Sequence, residues 1–275
     1  MMDTNPLKQY FRRPAVYLKL PSGGVSYTPT VVELPENGEV PVYPMTAIDE
    51  ITSRTPDALF NGTAVVDIIK SCVPAIKDPW SISSNDLDAI LIAIRAAGGG
   101  DSMEIETTCP KCEEQSTFAI NLIHILSNLQ SADYSKTLEI GNLKLKLRPL
   151  SFREMNEGSM KQFEIQKTFQ RIALEENQAE RESLSHQAFE NVTLLTMTLL
   201  SKTIEYIETP DTTVDNKEFI LDFLKNCDKN VYTAIRDYST ELKSKTELQP
   251  LDITCPHCSH EYQQSFTMNP ADFFG

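Results

Sequence analysis

Two Cys-Pro-x-Cys turns, Cys109-Pro110-Lys111-Cys112 and Cys255-Pro256-His257-Cys258, set the tightest limit on how this chain can fold. Two residues inside each pair let two sulfurs converge on one side of a metal ion. Two such turns complete the tetrahedral four-thiolate shell that structural zinc takes. About 140 residues separate the pairs, so one zinc shared between them ties distant segments into a single substructure. The expectation is one structural zinc per chain, held by Cys109, Cys112, Cys255 and Cys258.

The flanks read as two halves of one unit. Met103-Glu104-Ile105-Glu106-Thr107-Thr108 leads into the first turn and Leu251-Asp252-Ile253-Thr254 into the second. Thr117-Phe118-Ala119-Ile120 and Ser265-Phe266-Thr267-Met268 follow them. Apolar/polar alternation of period two marks half-buried strands, so each turn is expected to cap a β-hairpin, as in a zinc ribbon. The usual ribbon has a short spacer; the intervening residues here must hold an inserted domain.

Other uses of these cysteines fit less well. A redox Cys-x-x-Cys sits at a helix N-terminus, where the dipole lowers a thiol pKa, whereas Glu113-Glu114-Gln115-Ser116-Thr117 runs into a strand pattern. Two disulfides would need an oxidising compartment, and no secretory pattern opens the sequence. His257 and His260 are open as substitute ligands, although four cysteines suffice. Catalytic zinc keeps an open position, and four thiolates leave none. Cys72 and Cys227 lie outside the turns and read as buried small apolar residues.

A formal net charge of −14 argues against a nucleic-acid role, because backbone binding rests on Lys and Arg neutralising phosphates. No run of about 18 apolar residues suits a membrane span.

Residues 1–60 read as largely extended and proline-punctuated. Ala15–Leu20 forms a strand, a second lies near Val31–Leu34, and Glu39–Pro44 is extended again because each proline biases its predecessor away from helix. A short helix starts at Thr46 as N-cap. Residues 55–71 give another, with Pro56 early and Ala64, Val65, Ile68 and Ile69 on one face. Ser83–Asp86 caps a helix over 87–97, stopped by Gly98-Gly99-Gly100. Trp80 reads as a packing residue. Arg12, Arg13 and Arg54 are open to two readings, a binding patch or a basic strand tip with a structural salt bridge. A helical turn or two spans Leu122–Leu129.

Beyond the first turn, 138–140 and 143–148 form a hairpin about Gly141-Asn142. Ser151 and Glu154 make a capping box that opens a helix over 151 to about 180. Further helices are expected over about 184–206, from Asn216 and over 229–245, with Thr209–Thr212 as a loop. Glu175, Glu176, Glu180 and Glu182 lie on a solvated face, and no catalytic constellation emerges. The fold class is α+β. A mixed β/α N-terminal region (1–102) precedes a zinc-ribbon-like β unit (103–150 and 246–275), which carries an inserted helical bundle (151–245).

The stretches Pro41–Glu50 and Arg54–Gly62, with Ser71-Cys72-Val73-Pro74, Trp80 and the Leu87-Asp88 helix leading to the first turn, resemble the T4-type baseplate proteins of contractile-tailed bacteriophages. The resemblance is close over about 5–150 and looser in the insert. It implies a structural or assembly component of the baseplate hub, located in the virion tail and assembled in the host cytoplasm. Its expected partners are other hub, wedge or tape-measure proteins, and no enzymatic activity is expected. A tail-assembly chaperone absent from the virion is the alternative. A zinc-ribbon nucleic-acid binder is a third reading, which the charge disfavours.

Overall fold

Polar caps and apolar stripes shape the chain into eight α-helices and ten short strands among the described residues, which are 5–24, 26–53 and 60–265 of the computed structural model. The elements gather into two compact units, Met1–Gln130 with Glu247–Gly275, and Ser131–Thr246.

In the first unit β1 (Val16–Lys19) and β2 (Glu39–Val42) pair antiparallel, with Leu18 opposite Val40. The strand expected near Val31–Leu34 is reduced to one bridge, Val32 to Ile76, because a turn in which the Val31 and Val32 N–H groups donate to the Thr28 carbonyl runs into it. Helix α1 (Ala47–Ser53) opens on a reciprocal cap: the Asp49 N–H donates to Thr46 Oγ1 at 3.2 Å, and the Thr46 N–H donates to Asp49 Oδ2 at 2.7 Å. Helix α2 (Thr63–Cys72) starts after Gly62, whose φ of 78° suits a residue without Cβ. It buries the expected face of Ala64, Val65, Ile68 and Ile69, while the expected start at 55–59 lies outside the described residues.

Helix α3 (Ser84–Ala97) is apolar nearly all round, and Ile90, Ile92 and Ile94 are each 0% exposed. A helix of that kind belongs in a core, and α3 packs on β1, β2 and α2. At its start Asp86 is fully buried and accepts from the Ser22 N–H (2.9 Å), Ser22 Oγ (2.6 Å) and the Tyr27 hydroxyl (2.5 Å). Burial, then the Asp86 charge, push the Tyr27 phenol well above its ordinary range. Ser83 is the N-cap residue without a side-chain cap bond, since its hydroxyl meets Tyr27 and Asp86 instead.

Arg12 resolves to the structural reading. It donates to the Pro44 carbonyl, to the Ser71 carbonyl and hydroxyl at 2.8 Å each, and meets Asp49 at 3.4 Å. That clamp pins the N-terminal segment to α1 and α2. Arg13 is exposed, and Arg54 lies outside the described residues. The unit continues through β3 (Ser102–Thr108), β4 (Gln115–Asn121) and α4 (Leu122–Asn128), and returns with β9 (Leu251–Thr254) and β10 (Glu261–Gln264).

The second unit corrects the expected insert. It begins at Ser131, not 151, and is not a helical bundle: β5 (Thr137–Ile140), β6 (Leu143–Leu147), β7 (Ile204–Glu208) and β8 (Thr213–Val214) form an antiparallel sheet in that order. The hairpin assigned to the ribbon belongs here, because Leu145 and Leu147 share a core with Leu200, Ile204, Ile207, Ile220 and Ile235. Helix α5 (Phe152–Leu174) opens on the expected Ser151/Glu154 capping box and turns back into α6 (Gln178–Thr203). Asn177 ends the continuous helix expected to about 180, accepting from the N–H groups of Ala179 and Glu180 to start a new one. Helices α7 (Lys217–Asn226) and α8 (Lys229–Ser244) complete the unit.

Candidate metal centre

Each cysteine pair sits at the closed end of a two-stranded hairpin. Across β3/β4, Thr108 pairs with Gln115; across β9/β10, Thr254 pairs with Glu261. The hairpins are strands where the alternation predicted them, except that the second outgoing strand is Glu261–Gln264, ahead of the expected 265–268; residues 266–268 lie outside the described ones.

The two turns share one construction. The Cys109 N–H donates to the Glu114 carbonyl (3.0 Å), and the Glu113 N–H donates back to the Cys109 carbonyl (2.9 Å). The Cys255 N–H donates to the His260 carbonyl and the Ser259 N–H to the Cys255 carbonyl, both at 2.9 Å. The residue after each second cysteine takes a left-handed conformation, Glu113 at φ 60° and Ser259 at φ 56°. This tight reversal brings both sulfurs of a pair to one side. The leading cysteines, Cys109 and Cys255, are buried, while Cys112 and Cys258 lie nearer the rim.

The sulfurs of the two turns interleave. Cys109 Sγ lies 3.7 Å from Cys258 Sγ, and Cys112 Sγ lies 3.7 Å from Cys255 Sγ. All four lie within 4.8 Å of one another. Zinc–sulfur bonds of about 2.3 Å directed tetrahedrally give S···S edges of about 3.8 Å, so the spacing suits one metal ion at the centre. It is far longer than the ~2.05 Å of a disulfide.

The thiols already feel one another. Burial pushes the Cys109 thiol up, but hydrogen bonds from the Cys112 and Lys111 backbone N–H groups and from neighbouring thiols outweigh it, bringing it down to about 6. For Cys112 a bond from the Glu114 backbone lowers the value, while burial and the other three thiols raise it to about 12. Four adjacent sulfurs thus cannot all ionise without a cation between them. The donor set, its spacing and this need for positive charge fit a soft divalent metal.

Neither histidine joins this group. His257 is exposed, and His260 stacks on Tyr262 with ring centroids 6.2 Å apart. Among the described residues no other three His, Cys, Asp or Glu side chains converge in this way. Cys72 is buried beside Arg12, with burial and then Asp49 raising its thiol to about 11. Cys227 is half-buried against the Leu224 carbonyl.

One contact between the hairpins lay outside the reach of the sequence. Thr107 Oγ1 is buried and donates to Gln264 Oε1 at 2.8 Å, with the Tyr262 hydroxyl 3.4 Å away. Thr107 holds an inward-facing strand position, which alternation signals, but its partner is set only by folding.

The fold and the site together define an α+β protein whose discontinuous first unit carries a four-cysteine cluster able to bind a metal ion. A protein-family comparison names its lineage: residues 19–275 match the T4 bacteriophage base plate protein family, and the chain belongs to it. Comparisons with curated proteins and with solved structures gave no match.

Proposed function

We propose that this chain is a structural or assembly component of the hub region in a contractile phage tail, acting through protein–protein contacts rather than catalysis. The observation that carries this reading is the family match across nearly the whole chain. The expected partners are hub, wedge or tape-measure proteins of the same baseplate. Cys109, Cys112, Cys255 and Cys258 would hold one zinc in a ribbon-like clasp. Four thiolates fill the shell, leave no site for water or substrate, and make the metal structural. The net charge of −14 supports protein over nucleic-acid partners. Among the described residues no helix is long and apolar enough to cross a membrane.

The test is to follow the protein through tail assembly. Affinity capture from infected cells should recover it with hub or tape-measure proteins, and its absence from every tail intermediate would sink the proposal. Mass spectrometry of purified virions separates its two forms: a retained subunit is present in the particle, whereas an assembly chaperone is found only in the lysate.

A further inference from the structure

The N-terminal segment that Arg12 clamps carries an exposed face of its own. Period-two alternation runs along it: Phe11, Arg13, Ala15, Tyr17 and Lys19 are exposed, whereas Arg12, Pro14 and Val16 are partly covered and Leu18 is buried. Leu7, Tyr10, Phe11 and Tyr17 are 61%, 78%, 57% and 61% exposed. Single exposed apolar side chains are ordinary on a protein surface; four between positions 7 and 17 form a concentration that marks an interaction site. The backbone beneath them is held. The Arg12 clamp ties it to α1 and α2, the Ala15 N–H donates to the Val42 carbonyl at 2.9 Å, and β1 packs on α3. At ~3.3 Å per residue, the face from Phe11 to Lys19 is about 26 Å long, room for roughly eight residues of an extended partner.

Charge also sets this segment apart. Between Asn5 and Val32 the sequence holds Lys8, Arg12, Arg13 and Lys19 and no acidic residue. Setting these four aside from the chain's 25 basic and 39 acidic residues leaves −18 elsewhere. Arg12 is taken up by Asp49. Lys8, Arg13 and Lys19 are exposed, and among the described residues none of them forms an ion pair, although Lys19 stands opposite Glu39 on β2. Strands β1 and β2 make a two-stranded sheet, so β1 has an edge with no described strand beside it.

We propose that this face docks an extended acidic segment of a partner protein, which adds along the open edge of β1. Its carboxylates meet Arg13 and Lys19, and its apolar side chains cover Phe11 and Tyr17. The proposal rests on the reading of this chain as one that acts through protein contacts. Charge identifies the occupant: an acidic segment is repelled by the −18 carried elsewhere and attracted here, which fixes where it lands. The open strand edge offers backbone hydrogen bonds to an extended polypeptide, and the two rings offer a large apolar area. Nucleic acid fits less well, because three free cations displace few phosphate counterions from a ligand that the rest of the chain repels. A two-fold contact of this face with its own copy would set cation near cation.

The experiment is photo-crosslinking in infected cells. The probe is p-benzoylphenylalanine, placed in the full chain at Phe11 or Tyr17, with Phe219 on α7, 65% exposed, as the control position. Mass spectrometry of the adducts should put the Phe11 and Tyr17 probes on one segment of a second protein, with Asp and Glu in excess. Arg13→Glu combined with Lys19→Glu should cut the yield at least ~tenfold, and changing acids of the captured segment to Lys should restore it. Every substituted side chain is exposed, so Tm should stay that of the wild type. Adducts on a neutral or basic segment, on nucleic acid or on a second copy of the chain overturn the proposal. So does a yield no higher than at Phe219, or one indifferent to the charge reversal. An acidic segment from a protein outside the tail supports this surface and counts against the hub. Recovery with tail proteins but without these adducts does the reverse.

Discussion

Replacing Cys255 with serine removes a buried sulfur from the cluster, and the structure sets the size of the effect. Cys112 and Cys255 are 143 positions apart. In the chain-entropy model, a link closing about 143 residues is worth about 5 kcal/mol at room temperature. That figure treats the loop as wholly unfolded. The Ser131–Thr246 unit has its own core, and while it stays folded the link closes only the flanks, about 28 residues, worth about 3.6 kcal/mol. The Cys255→Ser variant should therefore lose about 4 kcal/mol. At ~2–4 °C per kcal/mol for a chain of this size, Tm should fall by roughly 8–16 °C. Differential scanning calorimetry gives the shift, and elemental analysis on the same sample gives the metal. The wild type should hold about one zinc per chain and the variant well under half. Cys227→Ser is the control: its thiol lies outside the cluster, so zinc should be unchanged and stability should move by less than ~1 kcal/mol. A Cys255→Ser protein melting within ~2 °C of wild type would refute the clasp.

Other expectations follow from single contacts. Arg12→Ala removes the cation beside the buried Asp49 carboxylate, which keeps its bonds from Thr46 and Ser71, and should cost about 2–4 kcal/mol, with faster proteolysis of the N-terminal segment as the check. Burial and then Glu247 raise the Asp88 carboxyl to about 6. A carboxyl raised on folding is most favourable while protonated, so its contribution is full below ~pH 4 and is lost as pH rises through about 6. Asp88→Asn should therefore stabilise by about 1–3 kcal/mol at pH 7.5 and leave stability unchanged near pH 4, which paired melts at both pH values would test. On α5, a Cβ at Gly158 would sit 3.0 Å from Leu199 Cδ2. Gly158→Val should overpack the hairpin and cost about 1–3 kcal/mol, read from denaturant midpoints.

How much of this was legible in the sequence depended on the range of the interaction. The cysteine spacing, the alternation around it and the Ser151/Glu154 cap are local signals, and the structure follows them closely. Strand β7 was missed because its first residues, 204–206, fall at the end of the expected helix that Leu194, Leu195, Met197, Leu199 and Leu200 make apolar. Only pairing with β6 makes that segment a strand, with Leu145 opposite Ile207. The same non-local pairing moved the 137–147 hairpin out of the expected ribbon. Arg12 could be read as part of a binding patch or as a structural salt bridge because its partners Pro44, Asp49 and Ser71 come from segments 32 to 59 positions away. The four cysteines were the exception among long-range contacts, since thiols in paired turns announce one another through their chemistry.

Metal binding on this reading amounts to folding for one part of the chain. Strands β9 and β10 have four residues each, and a two-stranded hairpin of that length is marginal in water. Over 251–264 its buried residues are Ile253 and Cys255. Two such side chains contribute about 3–5 kcal/mol of burial, against an ordering cost of ~1–2 kcal/mol for each of some fourteen backbone positions. Strand hydrogen bonds and the Thr107–Gln264 contact recover only part of that deficit, at about 1 kcal/mol each. A bound metal supplies the remainder, because the ~10–16 kcal/mol of a structural zinc site is available only when both turns are in place. Stripping the metal should therefore release the second hairpin before anything else. Hydrogen exchange would show this as amide protection lost first over 251–264, while α3 and the sheet of the second unit stay protected. If those regions lose protection together, the clasp is a load carried by the whole fold rather than by its last hairpin.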